Sequence, residues 1–483
     1  MASMTLSWIC IRGSVPAVGT LHHVADNSSN EQLVIVANRL PVRYDEEEHR
    51  WVTSPGGLVS ALAPVLRQRR GTWIGWPGTL DTRVDPFTVD GIDQVPVFLS
   101  SEEVTDYYEG FCNGTIWPLY HDAIRPVEMH RHWWRPYQEV NRRFAETVAE
   151  TATEGAAVWV QDYQLQLAPE MLHLARPDLR IGFFLHIPFP PVEIFGRLPW
   201  RREIARGLLG ADVVGFHTRQ SMMNFGRAAR AYGDASGPAE ALSFAEHTTR
   251  SEVLPISIDF DEFESVASSA ETSHAATELR RELGDPAHVL LGVDRLDYTK
   301  GIDLRLRAFE SLLQERSDLH GRIVLVQVAV PSRQAVGEYQ TIRRHVEEQV
   351  GRINGEFGRG DWTPVRYYYR SLERPDLIAH YAAADVLLVT PLRDGMNLVA
   401  KEYVACRTED SGVLVLSEFA GAAEQLAQAV IVNPYDLDGL VRAFARAVDM
   451  PRDEQRRRMR ALRKSVRRWD VHTWAAHGLA GIT

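Results

Sequence analysis

An α/β protein with two Rossmann-like halves is predicted by three features of this 483-residue chain. Short apolar runs alternate with helical patterns from Leu33 onward. The length exceeds what one core comfortably fills, and the alternation breaks once near mid-chain. The first set of runs falls at 33–37, 72–76, 158–161, 181–184 and 213–216. This is the rhythm of a parallel sheet covered on both faces by helices. A polar, small-residue stretch at 234–249 interrupts it, and the segment 253–259 (Val-Leu-Pro-Ile-Ser-Ile-Asp) restarts it. A helical segment then leads to the turn Gly284-Asp285-Pro286. Further runs at 289–293, 323–330, 365–369, 386–389, 413–416 and 430–432 supply a second sheet. The expected organisation is a tail over 1–30, a first half over 31–253 and a second over 254–483, the last helix packing back on the first half.

Bulk properties narrow the function. Apolar residues make up 45%, ordinary for a globular protein. A net charge of −11 argues against nucleic acid as the main partner, while local arginines still permit an anionic substrate. Cys10, Cys112 and Cys406 are scattered, without CxxC or zinc spacing, which suits a reducing cytoplasm. No window reaches the length of a membrane-spanning helix. The mildly apolar stretch in the first 30 residues is interrupted by Arg12 and has no basic residue ahead of it, so a disordered tail or an expression remnant fits better than a signal peptide.

Two turns carry most of the chemistry. Residues 292–301 read Gly-Val-Asp-Arg-Leu-Asp-Tyr-Thr-Lys-Gly, an apolar run ending in a turn that offers Arg295 and Lys300. Residues 390–402 read Thr-Pro-Leu-Arg-Asp-Gly-Met-Asn-Leu-Val-Ala-Lys-Glu, again a strand, a polar turn and a helix. A strand feeding a turn that opens a helix presents free amides and a helix dipole to phosphates. Two cations suit a diphosphate, and a carboxylate on the following helix suits sugar hydroxyls. The combination reads as a nucleotide-sugar site. The alternative for Arg295 and Lys300 is a surface ion pair with Asp294 or Asp297. For Gly56 and Gly57, after the first strand, the choice is between a phosphate-approaching turn and an ordinary one. The basic tail, with eight Lys or Arg between Arg456 and Arg468, reads as a solvated helix face with Met459, Leu462 and Val466 turned inward.

Taken in order, the motifs resemble those of the trehalose-6-phosphate synthases, retaining glycosyltransferases of the two-domain architecture called GT-B. They are Ala-Asn-Arg-Leu-Pro-Val (37–42), Ser-Pro-Gly-Gly-Leu (54–58), Tyr-Tyr-Glu-Gly-Phe (107–111) with Trp117-Pro118, Trp-Val-Gln-Asp-Tyr (159–163), Gly-Phe-Phe-Leu-His-Ile-Pro-Phe-Pro (182–190), the two turns above, and Ser-Glu-Phe-Ala-Gly-Ala (417–422). The resemblance implies an active site in the cleft between the halves. It places the donor diphosphate against Gly56, Gly57, Arg295, Lys300 and the helix-start residues Asn397, Leu398 and Val399. It gives the transferred glucose to His186 and Asp394, and the ribose to Glu402. It assigns acceptor binding to Arg39, Trp76, Tyr108, Trp117, Asp162 and Arg333, with Arg39 and Arg333 on the phosphate. One departure stands out: Gln161 and Gln164 flank Asp162 where some members carry histidines.

The implied reaction moves glucose from UDP-glucose and/or GDP-glucose to glucose 6-phosphate with retention, giving α,α-trehalose 6-phosphate. Asp394 and Glu402 do not read as a glycosidase pair, because eight residues of helix rise roughly 12 Å. The Asp-x-Asp strings at 259–261 and 436–438 lie away from the basic turns and read as chance or helix caps. No metal and no cofactor are therefore expected, and His186, Arg295, Lys300 and Asp394 form the catalytic set. A pseudo-glycosyltransferase joining cyclitols, a glycogen-synthase-like or phosphorylase enzyme and a non-catalytic sugar-phosphate sensor share the fold class. The expected setting is cytoplasmic, with no membrane or nucleic-acid partner and a homo-oligomer (dimer or tetramer) as the assembly.

Overall fold

Seventeen strands form two large sheets and one small hairpin among the residues that the structure, a computed structural model, describes: 32–45, 50–53, 59, 62, 66–67, 71–123, 127–332 and 337–482. The tail expected over 1–30 lies outside them. The strands up to the mid-chain crossing are β1 (Leu33–Arg39), β2 (Val42–Asp45), β3 (Arg50–Thr53), β4 (Thr72–Trp76), β5 (Phe87–Val89), β6 (Ile92–Pro96), β7 (Ala157–Gln161), β8 (Arg180–Leu185), β9 (Val213–Phe216), β10 (Ala241–Phe244) and β11 (His247–Val253). After it come β12 (His288–Arg295), β13 (Ile323–Val330), β14 (Val365–Tyr368), β15 (Val386–Val389), β16 (Val413–Ser417) and β17 (Val430–Val432).

The first sheet has the order β10-β11-β9-β8-β7-β1-β4-β6-β5. Its interior is parallel, and antiparallel hairpins close both edges. The second sheet is wholly parallel in the order β14-β13-β12-β15-β16-β17. Continuous burial of strands such as β1 and β13 follows from helices on both faces, which demand apolar side chains on each side of the sheet. The covering helices are amphipathic: in the helix Ile302–Glu315, the residues Ile302, Leu306, Phe309 and Leu313 turn inward at helical spacing.

One expectation from the sequence is corrected. The stretch 234–249 is not simply an interruption: it includes the edge strand β10 and the start of β11, and Val253, where the sequence rhythm is expected to restart, is the last residue of β11. The hairpin's polar residues hid it, because an edge is covered on fewer sides and tolerates Thr, Arg and Ser. The crossing to the second sheet is the irregular run 254–259.

The basic helix Arg452–Arg468 buries Met459, Leu462 and Val466, as its pattern predicted. Several of its arginines are engaged: Arg458 with Glu454, Arg460 with Asp410, and Arg463 and Arg467 with Glu264. After it, the helix Val471–Ala480 returns to the first sheet. Trp474 is fully buried there, its ring 5.0 Å from that of Trp159 and 5.3 Å from that of Phe184. Val471 N–H donates to the Ile258 carbonyl at 2.9 Å, and Trp469 Nε1–H donates to the Pro255 carbonyl at 2.6 Å. The carboxy-terminal segment thus braces the crossing and the first sheet together.

Trp474→Ala should therefore cost about 3–5 kcal/mol, the scale of emptying a buried aromatic site. A urea midpoint indistinguishable from that of the wild type would show that this brace carries no stability.

Candidate active site

Both sheets reverse their winding direction once, and the candidate residues collect at those two places. In the first sheet β1, β4 and β6 proceed one way while β7, β8 and β9 proceed the other. In the second, β12, β13 and β14 diverge from β15, β16 and β17. Diverging connections leave a crevice at the carboxyl ends of the central strands, where open α/β sheets bind ligands.

On the first half, Arg39 ends β1, and its guanidinium lies 4.0 Å from the centroid of the Trp76 ring. Tyr108 meets Trp76 edge-on at 6.3 Å from a π-helical segment, Val104–Ile116, and Trp117 follows directly in the helix Trp117–Tyr120. A cavity of about 530 Å³ opens here, lined among others by Arg39, Trp73, Tyr108, Asp162 and His186. Asp162 holds a left-handed backbone, φ 73°, at the end of β7. Its N–H donates to the Phe184 carbonyl at 2.7 Å, and its Oδ1 accepts the His186 N–H at 3.0 Å. A non-glycine residue held at such a φ costs on the order of 1–3 kcal/mol and persists only where its surroundings enforce it.

His186 is set by Gln161. Gln161 is buried and turns its Nε2 toward the Trp159 carbonyl (3.4 Å), so its Oε1 faces His186 Nε2 at 2.9 Å. The imidazole therefore carries its proton on Nε2 and leaves Nδ1 as an acceptor. Burial pulls its pKa down to about 3, so the ring is neutral at ordinary pH. The glutamine that departs from the family pattern thus has a definite role as the histidine's tautomer partner.

On the second half, Arg295 ends β12, and Lys300 closes a short turn capped by Asp297. Gly301 takes φ +62°, with the Thr390 carbonyl where a Cβ would sit, so the chain passes close under the second turn. Lys300 Nζ bonds Asp394 Oδ2 at 2.6 Å, both nearly buried, rather than pairing with Asp294 or Asp297. Burial alone would raise the Asp394 carboxyl. Lys300, through its charge and its hydrogen bond, together with the Asn397 amide outweighs it and holds the group below its usual pKa, so it is ionised. Asn397 adopts φ 83° and caps the helix Leu398–Cys406 by accepting the Ala400 N–H. The Leu398 and Val399 amides begin that helix without intrahelical acceptors, as first-turn amides do. Glu402, one turn on, accepts the Tyr381 hydroxyl at 2.7 Å, and burial pushes its pKa upward. Asp394 and Glu402 have separate partners, Lys300 and Tyr381.

The halves meet across these turns. The Arg295 guanidinium sits 5.2 Å from the centroid of the Trp117 ring. A Cβ on Gly395 would lie 2.3 Å from the His186 carbonyl oxygen, so only glycine lets the two loops approach this closely. The structure thus brings together Arg39, Trp76, Tyr108, Asp162 and His186 on one rim, and Arg295, Lys300, Asp394, Asn397, Leu398, Val399 and Glu402 on the other, with Trp117 beneath Arg295. Gly56, Gly57 and Arg333 lie outside the described residues. Among the described residues no group of three His, Cys, Asp or Glu side chains could hold a metal. Asp259 and Asp436, from the two Asp-x-Asp strings, cap helices by accepting the N–H of Glu262 and Gly439.

Sequence reading missed two contributors. His121, one helical turn beyond Trp117, stacks on that indole at 4.0 Å, and its Nδ1–H donates to the Trp117 carbonyl at 2.8 Å. Its pKa is drawn down to about 4 by burial. Arg305, fully buried, bonds Asp294 at 2.6 Å, Gln327 at 2.9 Å and Thr390 at 3.1 Å. The i,i+4 spacing from Trp117 and from Gly301 was the available signal, but many residues share it.

The family model for glycosyltransferase family 20 matches residues 31–483. The chain belongs to this family. The trehalose-6-phosphate synthase of Mycolicibacterium smegmatis is 53% identical over 460 residues, covering 93% of this chain and 92% of that protein. The Mycobacterium leprae trehalose-6-phosphate synthase is 50% identical over 477 residues, covering 94% and 96%. Among solved structures, the UDP-forming α,α-trehalose-phosphate synthase of Burkholderia xenovorans in complex with glucose 6-phosphate is 35% identical, with a TM-score of 0.86 over 93% of this chain and 99% of that one. An E. coli relative bound with UDP-2-fluoro glucose is 34% identical, with a TM-score of 0.86 over 93% and 98%. The two-sheet architecture expected for a GT-B member of family 20 is the one observed.

Gln161→Glu should bring the His186 titration up toward neutrality, because an adjacent carboxylate favours imidazolium. The wild type should then show no inflection from His186 between about pH 5 and 8, while kcat/KM of the variant falls as pH drops through that window. Identical pH profiles would remove His186 from the site or Gln161 from its control.

Proposed function

We propose that this chain transfers glucose from a nucleoside diphosphate glucose, UDP-glucose and/or GDP-glucose, to glucose 6-phosphate with retention, making α,α-trehalose 6-phosphate. The observation that carries the reading is the juxtaposition at the cleft. Arg295 on the second half lies against Trp117 on the first, with the Lys300–Asp394 pair on the same second-half rim. The molecules bound by the B. xenovorans and E. coli relatives, glucose 6-phosphate and a UDP-glucose analogue, match the two rims in kind.

Donor glucose and diphosphate take the second-half rim. Arg295, Lys300 and the first amides of the helix Leu398–Cys406 neutralise the charge that builds on the diphosphate as the bond to C1 loosens. Asp394, ionised and fixed by Lys300, accepts glucose hydroxyls, and Glu402 faces the ribose. His186, neutral, accepts a hydroxyl through Nδ1. The acceptor's phosphate lies against Arg39 and Arg333, and its ring against Trp76, Tyr108 and Trp117, with Asp162 on its hydroxyls. Its anomeric hydroxyl attacks from the face the diphosphate leaves, and the departing phosphate oxygen takes the proton. No carboxylate nucleophile and no metal enter this scheme. Gly56 and Gly57 complete the phosphate cradle.

A cytoplasmic setting accords with Cys112 and Cys406 being buried free thiols, and among the described residues no helix is long and apolar enough to cross a membrane.

The deciding experiment measures nucleoside diphosphate release from UDP-glucose and GDP-glucose with and without glucose 6-phosphate, and identifies the disaccharide. Release that needs the acceptor and yields α,α-trehalose 6-phosphate is expected with both donors. Release without the acceptor, or none, overturns the reading. Lys300→Ala and Arg295→Ala should each lower kcat/KM by roughly 10²–10³, the scale of losing one preorganised charge stabiliser. Near-normal turnover in either would place the diphosphate elsewhere. Activity should also survive EDTA; its abolition by chelator and restoration by Mg²⁺ or Mn²⁺ would require a metal.

A further inference from the structure

A second cavity, of about 500 Å³, adjoins the candidate site. It opens between the end of the helix Trp117–Tyr120 on the first half and, on the second, the turn Tyr298–Lys300, the helix Gly337–Phe357 and the loop after β15. Its chemistry is mixed in a specific way. Arg393 reaches it largely shielded from solvent, and among the described residues it makes no hydrogen bond or ion pair; Asp122 and Tyr435 act on it only through longer-range electrostatics. A guanidinium with an unoccupied fork calls for a phosphate or carboxylate. The carboxylates of Asp122 and Asp303, also on the wall, are acceptors suited to hydroxyls, and Tyr298, Tyr435 and Ile342 offer apolar faces to a carbon skeleton.

The walls also continue into the candidate site. Tyr298 and Thr299 precede Lys300, and Arg393 precedes Asp394. Leu392 N–H donates to the Thr299 carbonyl at 2.7 Å, tying these two walls together. On the third wall, His121 stacks on Trp117 at 4.0 Å. Whatever fills the cavity therefore presses on the backbone segments that place Lys300, Asp394 and Trp117.

We propose that this cavity is a second ligand site, for a small polyol or sugar carrying one phosphate, and that its occupancy is coupled to the transfer site through those three segments. Arg393 takes the phosphate and Asp122 and Asp303 the hydroxyls. The coupling part rests on the proposed transferase reading; the binding part does not.

The test uses the full chain with UDP saturating and sorbitol 6-phosphate as the only sugar phosphate. The probe has no anomeric hydroxyl to serve as an acceptor. Calorimetry should show the wild type binding about one equivalent more than Ile342→Trp, in which the new side chain fills the cavity from the helix side. Tyr435→Ala, at a residue 51% exposed and so safe for folding, should weaken that additional equivalent at least ten-fold. In turnover assays at limiting glucose 6-phosphate the probe should change the donor KM or kcat of the wild type at least two-fold more than it does for Ile342→Trp, where it can only compete at the acceptor subsite. A wild type that binds no more probe than Ile342→Trp overturns the site, as does binding that both variants retain at wild-type strength. Additional binding with the same effect on turnover in both chains overturns the coupling while leaving the transferase reading intact. A chain that binds the probe as proposed yet transfers no glucose overturns the transferase reading alone.

Discussion

The candidate rim of the second half depends on one buried guanidinium. Arg305, wholly removed from solvent, reaches Asp294 near the end of β12, Gln327 within β13 and Thr390 just past β15. Those are the strands whose ends carry Arg295 and the turn with Asp394. The close approach of Gln327 and Arg305 also explains Gly292: a Cβ there would lie 2.4 Å from both side chains. Burying such a charge is expensive, and removing one partner of a buried pair typically costs about 3–5 kcal/mol. The arrangement is better understood as fixing register between strand ends than as adding stability. A rim that must hold two cations and a carboxylate to within a fraction of an ångström needs its supports locked.

Strain marks the same region on both halves. Asp162 and Asn397 are non-glycine residues with left-handed backbones, each at the mouth of its own sheet. Each is held by side-chain bonds that would be lost if the backbone relaxed: Asp162 to the His186 amide, Asn397 to the Ala400 amide. Gly395 sits against the His186 carbonyl, so the strained turns are also the ones the halves press together. Local cost is tolerated here because the positions of His186 and Asp394 follow from it.

Electrostatically the cleft separates its roles by environment. Burial keeps His121 and His186 neutral, and it pushes Glu402 toward neutrality too. Asp394, equally enclosed, stays ionised because Lys300 lies within hydrogen-bond distance. The net effect is one anchored carboxylate beside two cations, the environment on which the proposed binding of an anionic leaving group rests.

By itself the amino-acid sequence determined the two-sheet plan and the inward faces of helices such as Arg452–Arg468, because burial on both faces of parallel strands and on one face of a helix leaves periodic, local signatures; the family was legible through the resemblance of its motifs, taken in order. It also singled out Arg39, His186, Arg295, Lys300 and Asp394, each at a strand end or in the turn that follows it. The hairpin of β10 and β11 escaped because its polar residues belong to a sheet edge, where local pattern and burial part company. Only the tertiary structure decided who partners whom. It gave Lys300 to Asp394 rather than to Asp297, set Gln161 as the tautomer partner of His186, and brought Arg305 and His121 beneath the rims. The first two pairs are far apart in sequence, 94 residues for Lys300 and Asp394 and 25 for Gln161 and His186. No local periodicity encodes such contacts; they exist only once strand order within each sheet brings the strand ends together.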